Sequence, residues 1–370
     1  MIRLLYKKIL KPILFLFPAD DVHTFFLKIG NFIGGSNFFR FFTKKFLYFK
    51  NQNLKQKIFD IDFENPIGLA AGFDYDADLI DILPSVGFGY HTIGTVTYLS
   101  YIGNARPMLG RLPKSKSLLV NKGFKSMGID SVLKKINKRK KRIPLGISIG
   151  STNKSYNTIE EMINDIFYSF QRVLNEDYFD YFELNISCPN LINTESLDDK
   201  LDTPKGFKLL LDKLNTLLIN KPLFIKMYLE KEEDETLALC EVANFYPWVK
   251  GFIFSNLVKN RKNPSFDKKE IENVGRGNFS GKPTEKITNN LIGVVYKKYN
   301  DRFIIIGCGG VFTGFDAYEK IKRGATLIQM ITGMIYEGPS VIGEINKELS
   351  SLLEKDGYTN ISEAVGVYYK

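Results

Sequence analysis

The chain has 370 residues, 44% of them hydrophobic and 25% charged, enough to bury one large core or two smaller ones. Three scattered cysteines (Cys188, Cys240, Cys308), none in a CxxC pair, and two histidines (His23, His91) exclude a disulfide framework and leave little material for a structural metal. The formal charge of +10 lies almost wholly in residues 1–60, where 11 Lys/Arg face 3 Asp, so it marks one basic segment and argues against a nucleic-acid partner.

Within that segment Leu5, Ile9, Ile13 and Leu16 recur at helical spacing, with Lys7, Lys8 and Lys11 off the stripe and a kink predicted at Pro12. A second amphipathic run (Val22, Phe25, Phe26, Ile29, Ile33) follows a helix start at Pro18-Ala-Asp-Asp21. Phe38, Phe39, Phe41 and Phe42 then alternate with Arg40, Lys44 and Lys45. No apolar stretch approaches the ~20 residues of a bilayer span. Ile13–Phe17 is too short for the core of a cleaved signal peptide. The pattern predicts a helical module over residues 1–50, lying on an anionic membrane surface with its basic residues toward the headgroups. The competing reading is that these helices simply pack on the main domain.

From residue 51 to 370, short apolar runs alternate with longer amphipathic ones. Strands are predicted at Ile67–Ala71, Tyr90–Val96, Leu145–Ile149, Tyr181–Ile186, Leu223–Tyr228, Phe252–Ser255, Phe303–Ile306 and Thr326–Ile331. Helices are predicted at Thr158–Leu174, Gly206–Leu218, Glu233–Phe245, Glu285–Tyr299 and Phe315–Arg323. Eight such units fit an α/β chain folded as a (β/α)8 TIM barrel, and Gly68–Gly72 lacks the GxGxxG spacing of a doubly wound sheet. Two long stretches, Tyr98–Lys122 and Val258–Pro283, are candidates to cover a ligand.

Each predicted strand ends in small, polar or charged residues that a barrel would gather on one face: Ala71-Gly72, Thr95, Ser148, Asn185–Cys188, Lys226, Ser255-Asn256, Gly309-Gly310 and Thr332-Gly333. Asn185-Ile-Ser-Cys-Pro-Asn190 is the most informative of these. Asparagine and proline suit a strand interior poorly, whereas a thiol can serve as base or nucleophile and two carboxamides can hold a planar polar ligand. The glycines after strand seven and Thr-Gly after strand eight suit a phosphate held by backbone N–H groups. Lys226, inside Phe224-Ile-Lys-Met227, is costly to bury unless it meets an anion. FMN, with a phosphate and a ring that turns anionic on reduction, satisfies both. Cys240 and Cys308 read as inert core residues, and His23 either borders a ligand tunnel or completes a helix face, the second being the preferred reading.

Asn65-Pro-Ile-Gly-Leu-Ala-Ala-Gly72, Gly87-Phe-Gly89, Ile93-Gly-Thr-Val-Thr97, Asn185–Asn190, Phe279-Ser-Gly-Lys-Pro283 and Ile306-Gly-Cys-Gly-Gly310 together resemble the dihydroorotate dehydrogenases over nearly the full length. The basic helical N-terminus is similar to that of the quinone-using class 2, where it forms the quinone tunnel; class 1 lacks it. The resemblance implies oxidation of dihydroorotate to orotate in pyrimidine (UMP) biosynthesis, with FMN as cofactor, a membrane quinone as acceptor, and a peripheral location, on the cytoplasmic face of the cell membrane if bacterial. It implies FMN contacts at Ala71, Gly72, Phe73, Asp74, Tyr75, Thr95, Ser148, Asn185, Lys226, Ser255, Gly281, Gly309, Gly310, Ile331 and Thr332. Asn121, Lys122, Gly123, Phe124, Asn185, Asn190, Asn256 and Leu257 match the pyrimidine positions. Cys188 falls on the base that takes a proton from C5 while C6 yields a hydride to flavin.

Several positions depart from the pattern. Class 2 members carry serine where this chain has Cys188, and a thiol is far easier to deprotonate than a hydroxyl. Tyr75 stands in place of a lysine, for which Lys122 or Lys125 is a candidate substitute; Ser148 replaces an asparagine, and Leu257 a hydroxyl residue. The Asn121–Phe124 loop is one residue shorter. Competing readings are a class 1-like enzyme with another acceptor, a tRNA dihydrouridine synthase, and a non-catalytic flavin-binding membrane protein. The second would carry a helical RNA-binding domain after the barrel, where only a short stretch follows strand eight.

Overall fold

The computed structural model describes residues 2–370 except 138, 189–190, 192–199 and 255. Eight parallel strands close into a barrel: β1 (Ile67–Leu69), β2 (Tyr90–Val96), β3 (Leu145–Ile149), β4 (Tyr181–Asn185), β5 (Leu223–Lys226), β6 (Val249–Phe254), β7 (Ile304–Cys308) and β8 (Ala325–Met330). They neighbour one another in chain order, and Ile328–Met330 pairs with Ile67–Leu69 to close the ring. The strands read as unbroken apolar runs because both faces are covered; all seven residues of β2 are buried.

Aromatic rings fill the barrel interior, and glycines on the strands make room for them. A Cβ at Gly68 would fall 2.3 Å from the Tyr90 ring, and one at Gly146 2.1 Å from that of Tyr181. Among these rings runs a buried polar chain in which Thr92 and Gln329 each donate to Glu183 at 2.6 Å. The helices Ile159–Val173, Pro204–Asn215, Glu233–Asn244, Glu285–Tyr299 and Gly314–Lys322 sit where the periodicity predicts them. Thr158, Thr203 and Thr313 accept backbone N–H bonds at three of their starts.

The two long insertions pair with each other. Leu109–Leu112, Ser117–Val120 and Asn278–Gly281 form a three-stranded antiparallel sheet, joining the stretch after β2 to the one after β6. The N-terminal segment packs in three places: helical residues 2–14 against Thr332–Glu337, α1 (Ala19–Gly34) against Leu109–Leu112 of this sheet, and α2 (Asn37–Leu47) against Leu83–Val86. Just before Pro12 the helix carries a π turn over Tyr6–Leu10, where the Lys11 N–H reaches back five residues to the Tyr6 carbonyl. A widened turn absorbs the donor that proline lacks, and the helix continues to Leu14.

Not all the basic residues of this segment turn outward as expected. Arg3 and Lys7 bond the buried Glu337 at 2.8 and 2.7 Å, and Arg3 also reaches Glu344 at 2.8 Å. Burial favours raising the Glu337 pKa, but the Lys7 and Arg3 bonds outweigh it and hold the carboxyl below its ordinary range. The outer face carries apolar side chains instead: Phe32 is 70% exposed and Phe38 and Phe41 65% each, alongside Leu16 and Phe17. Among the described residues no helix is long and apolar enough to cross a membrane.

Candidate active site

A cavity of about 290 Å3 opens at the C-terminal ends of the strands, beneath the insertion sheet and α1. One end is polar. Ala71, Gly72, Phe73 and Tyr75 follow β1, Thr95 comes from β2, Asn185 and Cys188 from β4, Lys226 from β5, and Asn256 and Leu257 follow β6. Gly281, Gly309, Gly310, Ile331 and Thr332 line it on the side of β7 and β8, and Lys122, Gly123 and Phe124 descend from the insertion. Toward the N-terminal helices the wall turns apolar, with Leu14, Phe15, Val22, Phe26, Leu109 and Ile335, interrupted by Tyr6, His23 and Arg111.

Hydrogen bonds hold the polar end rigid. Asn185 donates to Thr95 Oγ1 at 2.8 Å, and Thr95 shares a 3.0 Å bond with Ser148. The loop carrying Cys188 is pinned from two sides, since Asn256 donates to the Ser187 carbonyl and hydroxyl at 2.7 Å and the Tyr228 hydroxyl donates to the Ile186 carbonyl. Cys188 itself is half-buried in the cavity wall. Lys226 is 5% exposed, and among the described residues its ammonium forms no ion pair.

The site's chemistry fits FMN. At the far side Gly281 (φ 88°), Gly309 (φ 92°) and Gly310 (φ 72°) hold backbone conformations that side chains resist. A Cβ would lie 2.4 Å from the Lys116 carbonyl at Gly281, and 2.4 Å from Glu285 Cβ at Gly310. Bare backbone here can approach a phosphate closely, while buried Lys226 and the Thr95–Asn185 pair line the cavity where they would meet a planar polar ring.

Several expected contacts fall elsewhere. Asp74 is fully buried but turned from the cavity: its carboxylate accepts N–H bonds from Asp78 at 2.7 Å and Leu79 at 2.9 Å, and lies 3.3 Å from His91. Burial outweighs those bonds and pushes its pKa up to about 7. Ser148 reaches the site only through Thr95, and Asn121 lines a separate hollow with Tyr101, Asn104 and Arg276. Ser255 and Asn190 lie outside the described residues.

In the other direction, Cys308, read from sequence as an inert core residue, lines the cavity, and so does His23, for which a helix face is the preferred sequence reading over a tunnel wall. His23 Nε2 sits 2.8 Å from the Phe73 carbonyl, which can only accept, so Nε2 carries the proton. Burial, aided by the charge of Lys122, lowers the His23 pKa to about 3 and keeps the ring neutral. The signal for His23 was present in the sequence: it lies beside Val22 and three residues from Phe26, on the helix face that meets the cavity.

A sequence model of the family described as dihydroorotate dehydrogenase matches residues 53–353. A "Dihydroorotate dehydrogenase (quinone)" of Trichodesmium erythraeum is 34% identical, over 99% of both chains. Its namesake in Christiangramia forsetii is also 34% identical, covering 93% of this chain and 98% of its own. A crystal structure of DHODH from Eimeria tenella in complex with ferulenol shares the fold, with TM-score 0.81 and 24% identity over 95% of this chain and 96% of that one. The sequence match and the barrel with its glycine cradle lead to one conclusion: the chain belongs to the dihydroorotate dehydrogenase family, whose members use FMN.

Proposed function

We propose that this chain oxidises dihydroorotate to orotate for pyrimidine synthesis and delivers the electrons to a membrane quinone. One observation carries the proposal: a single cavity joins a polar end holding Cys188, Asn185, Asn256 and Lys226 to an apolar end walled by the N-terminal helices. Bound there, FMN supplies the hydride acceptor for the pyrimidine and the electron donor for the quinone. Cys188 takes the proton from C5, placed by a loop that Asn256 and Tyr228 immobilise. Asn185 and Asn256 would present carboxamides to the pyrimidine edge, Lys226 would face the flavin ring, and Gly281, Gly309, Gly310 and Thr332 would hold the phosphate. The insertion sheet, which lines the cavity through Leu109, Leu118 and Val120, would shield the reacting atoms from water.

On this reading residues 1–50 form the quinone and membrane module and residues 51–370 the FMN barrel. Leu14, Phe15, Val22 and Phe26 suit a lipophilic quinone, with Arg111 and Tyr6 as polar groups for its head. The exposed phenylalanines of α1 and α2, flanked by Arg40, Lys44 and Lys45, suit peripheral contact with an anionic bilayer.

The test is anaerobic. Dihydroorotate added to the FMN-loaded protein bleaches the oxidised flavin band, and a soluble ubiquinone analogue then restores it. A flavin that stays oxidised with dihydroorotate overturns the proposal.

A further inference from the structure

The resemblance drawn from the sequence implies a lysine next to the substrate in the loop after β1, where this chain has Tyr75. Another cation stands over it. Lys122 Nζ lies 4.9 Å from the centre of the Tyr75 ring, in the cavity wall, and the residue is 5% exposed. Its other neighbours come from α1: Asp20 Oδ1 at 3.8 Å and His23 Nδ1 at 3.5 Å. Because His23 is protonated on Nε2, Nδ1 offers a lone pair to the ammonium.

Asp20 is itself locked in place. Its Oδ2 accepts the backbone N–H groups of Met108 at 2.9 Å and Leu109 at 3.2 Å, while Oδ1, aimed at Lys122, has no hydrogen-bond partner among the described residues. An ammonium with three donors therefore meets one long hydrogen bond, one long ion pair and an aromatic face. That leaves donor capacity toward the cavity. The flavin phosphate belongs at the glycine side, so the remaining anion for this cation is a ligand carboxylate next to Cys188. Lys122, Tyr75 and Cys188 line the same cavity, so a ligand next to the thiol shares its space with this ammonium.

We infer that Lys122 binds the carboxylate of the pyrimidine substrate in place of the lysine absent at position 75, and that α1 positions it through Asp20 and His23. The inference rests on the function proposed above and adds that the N-terminal module builds part of the substrate site as well as the quinone site. Lys122 is a binding residue; Asp20 and His23 act through it.

Orotate titrated into FMN-loaded protein, followed by the flavin spectral shift, reads the site without turnover. Lys122→Met raises the orotate dissociation constant by at least about tenfold, as loss of a desolvated charge-assisted contact does, with the FMN-to-protein ratio unchanged. Adding Tyr75→Lys to that variant recovers affinity. If Lys122→Met fails to hold FMN, Lys122→Gln, which keeps a buried donor, carries the same expectation.

Positioning is read from the pH profile. The charged and titratable groups facing Lys122 are Asp20 and His23 from α1, Tyr75 from the loop after β1, and Arg106 and Lys125 from the insertion. Burial lowers the Lys122 pKa to about 8 against the opposing pull of Asp20. Wild-type affinity for orotate therefore declines as pH rises through about 8. Asp20→Asn keeps an acceptor for the two backbone N–H groups and moves this decline to lower pH; Lys122→Met removes it. Wild-type orotate affinity in Lys122→Met or its glutamine counterpart overturns the substrate role, and a wild-type pH profile in Asp20→Asn overturns the positioning role. A wild-type protein that neither binds orotate nor is reduced by dihydroorotate overturns the proposed function instead.

Discussion

Replacing Cys188 by alanine separates chemistry from structure. The 186–188 loop is fixed by the two 2.7 Å bonds from Asn256 and by the Tyr228 hydroxyl, all of them to backbone or to Ser187. Removing one half-buried sulfur should therefore leave the loop in place, at a stability cost of about 1 kcal/mol, typical of a small truncation. Loss of a general base costs roughly 10²–10⁴ in rate, or about 2.7–5.4 kcal/mol of barrier at 1.36 kcal/mol per decade. The rate effect thus exceeds the stability effect several-fold. Rapid anaerobic mixing with dihydroorotate measures it as slowed flavin bleaching at unchanged FMN content. Cys188→Ser should retain part of the rate with its pH dependence moved upward, because a hydroxyl yields its proton at higher pH than a thiol. Alanine at 188 with wild-type bleaching would refute the assignment of the base.

Three further expectations concern the cradle, the N-terminal anchor and the outer face. Gly310→Ala places a Cβ 2.4 Å from Glu285 Cβ at φ 72°, and a left-handed side chain adds roughly 1–2 kcal/mol; the purified protein should carry less FMN, and full occupancy by absorbance would remove Gly310 from the cradle. Glu337→Gln weakens the hold on Arg3 and Lys7 and should slow quinone reoxidation more than reduction by dihydroorotate. Since the folded Glu337 pKa is depressed, its contribution is present above the unfolded carboxylate pKa and lost as pH falls through the folded value; the melting temperature should drop there in the wild type and lack that component in the glutamine variant. Phe38→Ser with Phe41→Ser removes two side chains worth roughly 1.5–3 kcal/mol each when fully withdrawn from water, so flotation with anionic vesicles should fall at least about tenfold; undiminished flotation would reject this face as the membrane contact.

The eight strands and the polar residues at their tips were legible in the amino-acid order because local periodicity encodes them. A strand covered on both faces reads as an apolar run, and the Asn185–Cys188 cluster and the Gly309-Gly310 pair stand out where such runs stop. Thr95, Lys226 and Thr332 reach the cavity by the same logic: the end of a barrel strand has one place to go.

What tertiary structure alone decided depends on partners distant along the chain. Ser117 meets Ser280 across 163 positions when the two insertions pair, and Asp20 meets Met108 across 88. Those encounters hold α1 against the insertion and set Lys122 over Tyr75. Asp74 shows the converse, since its carboxylate is taken by the N–H groups of the turn that follows and leaves the face its strand-end position implied. Periodicity reports which side of an element is buried; it carries no record of what that side is buried against.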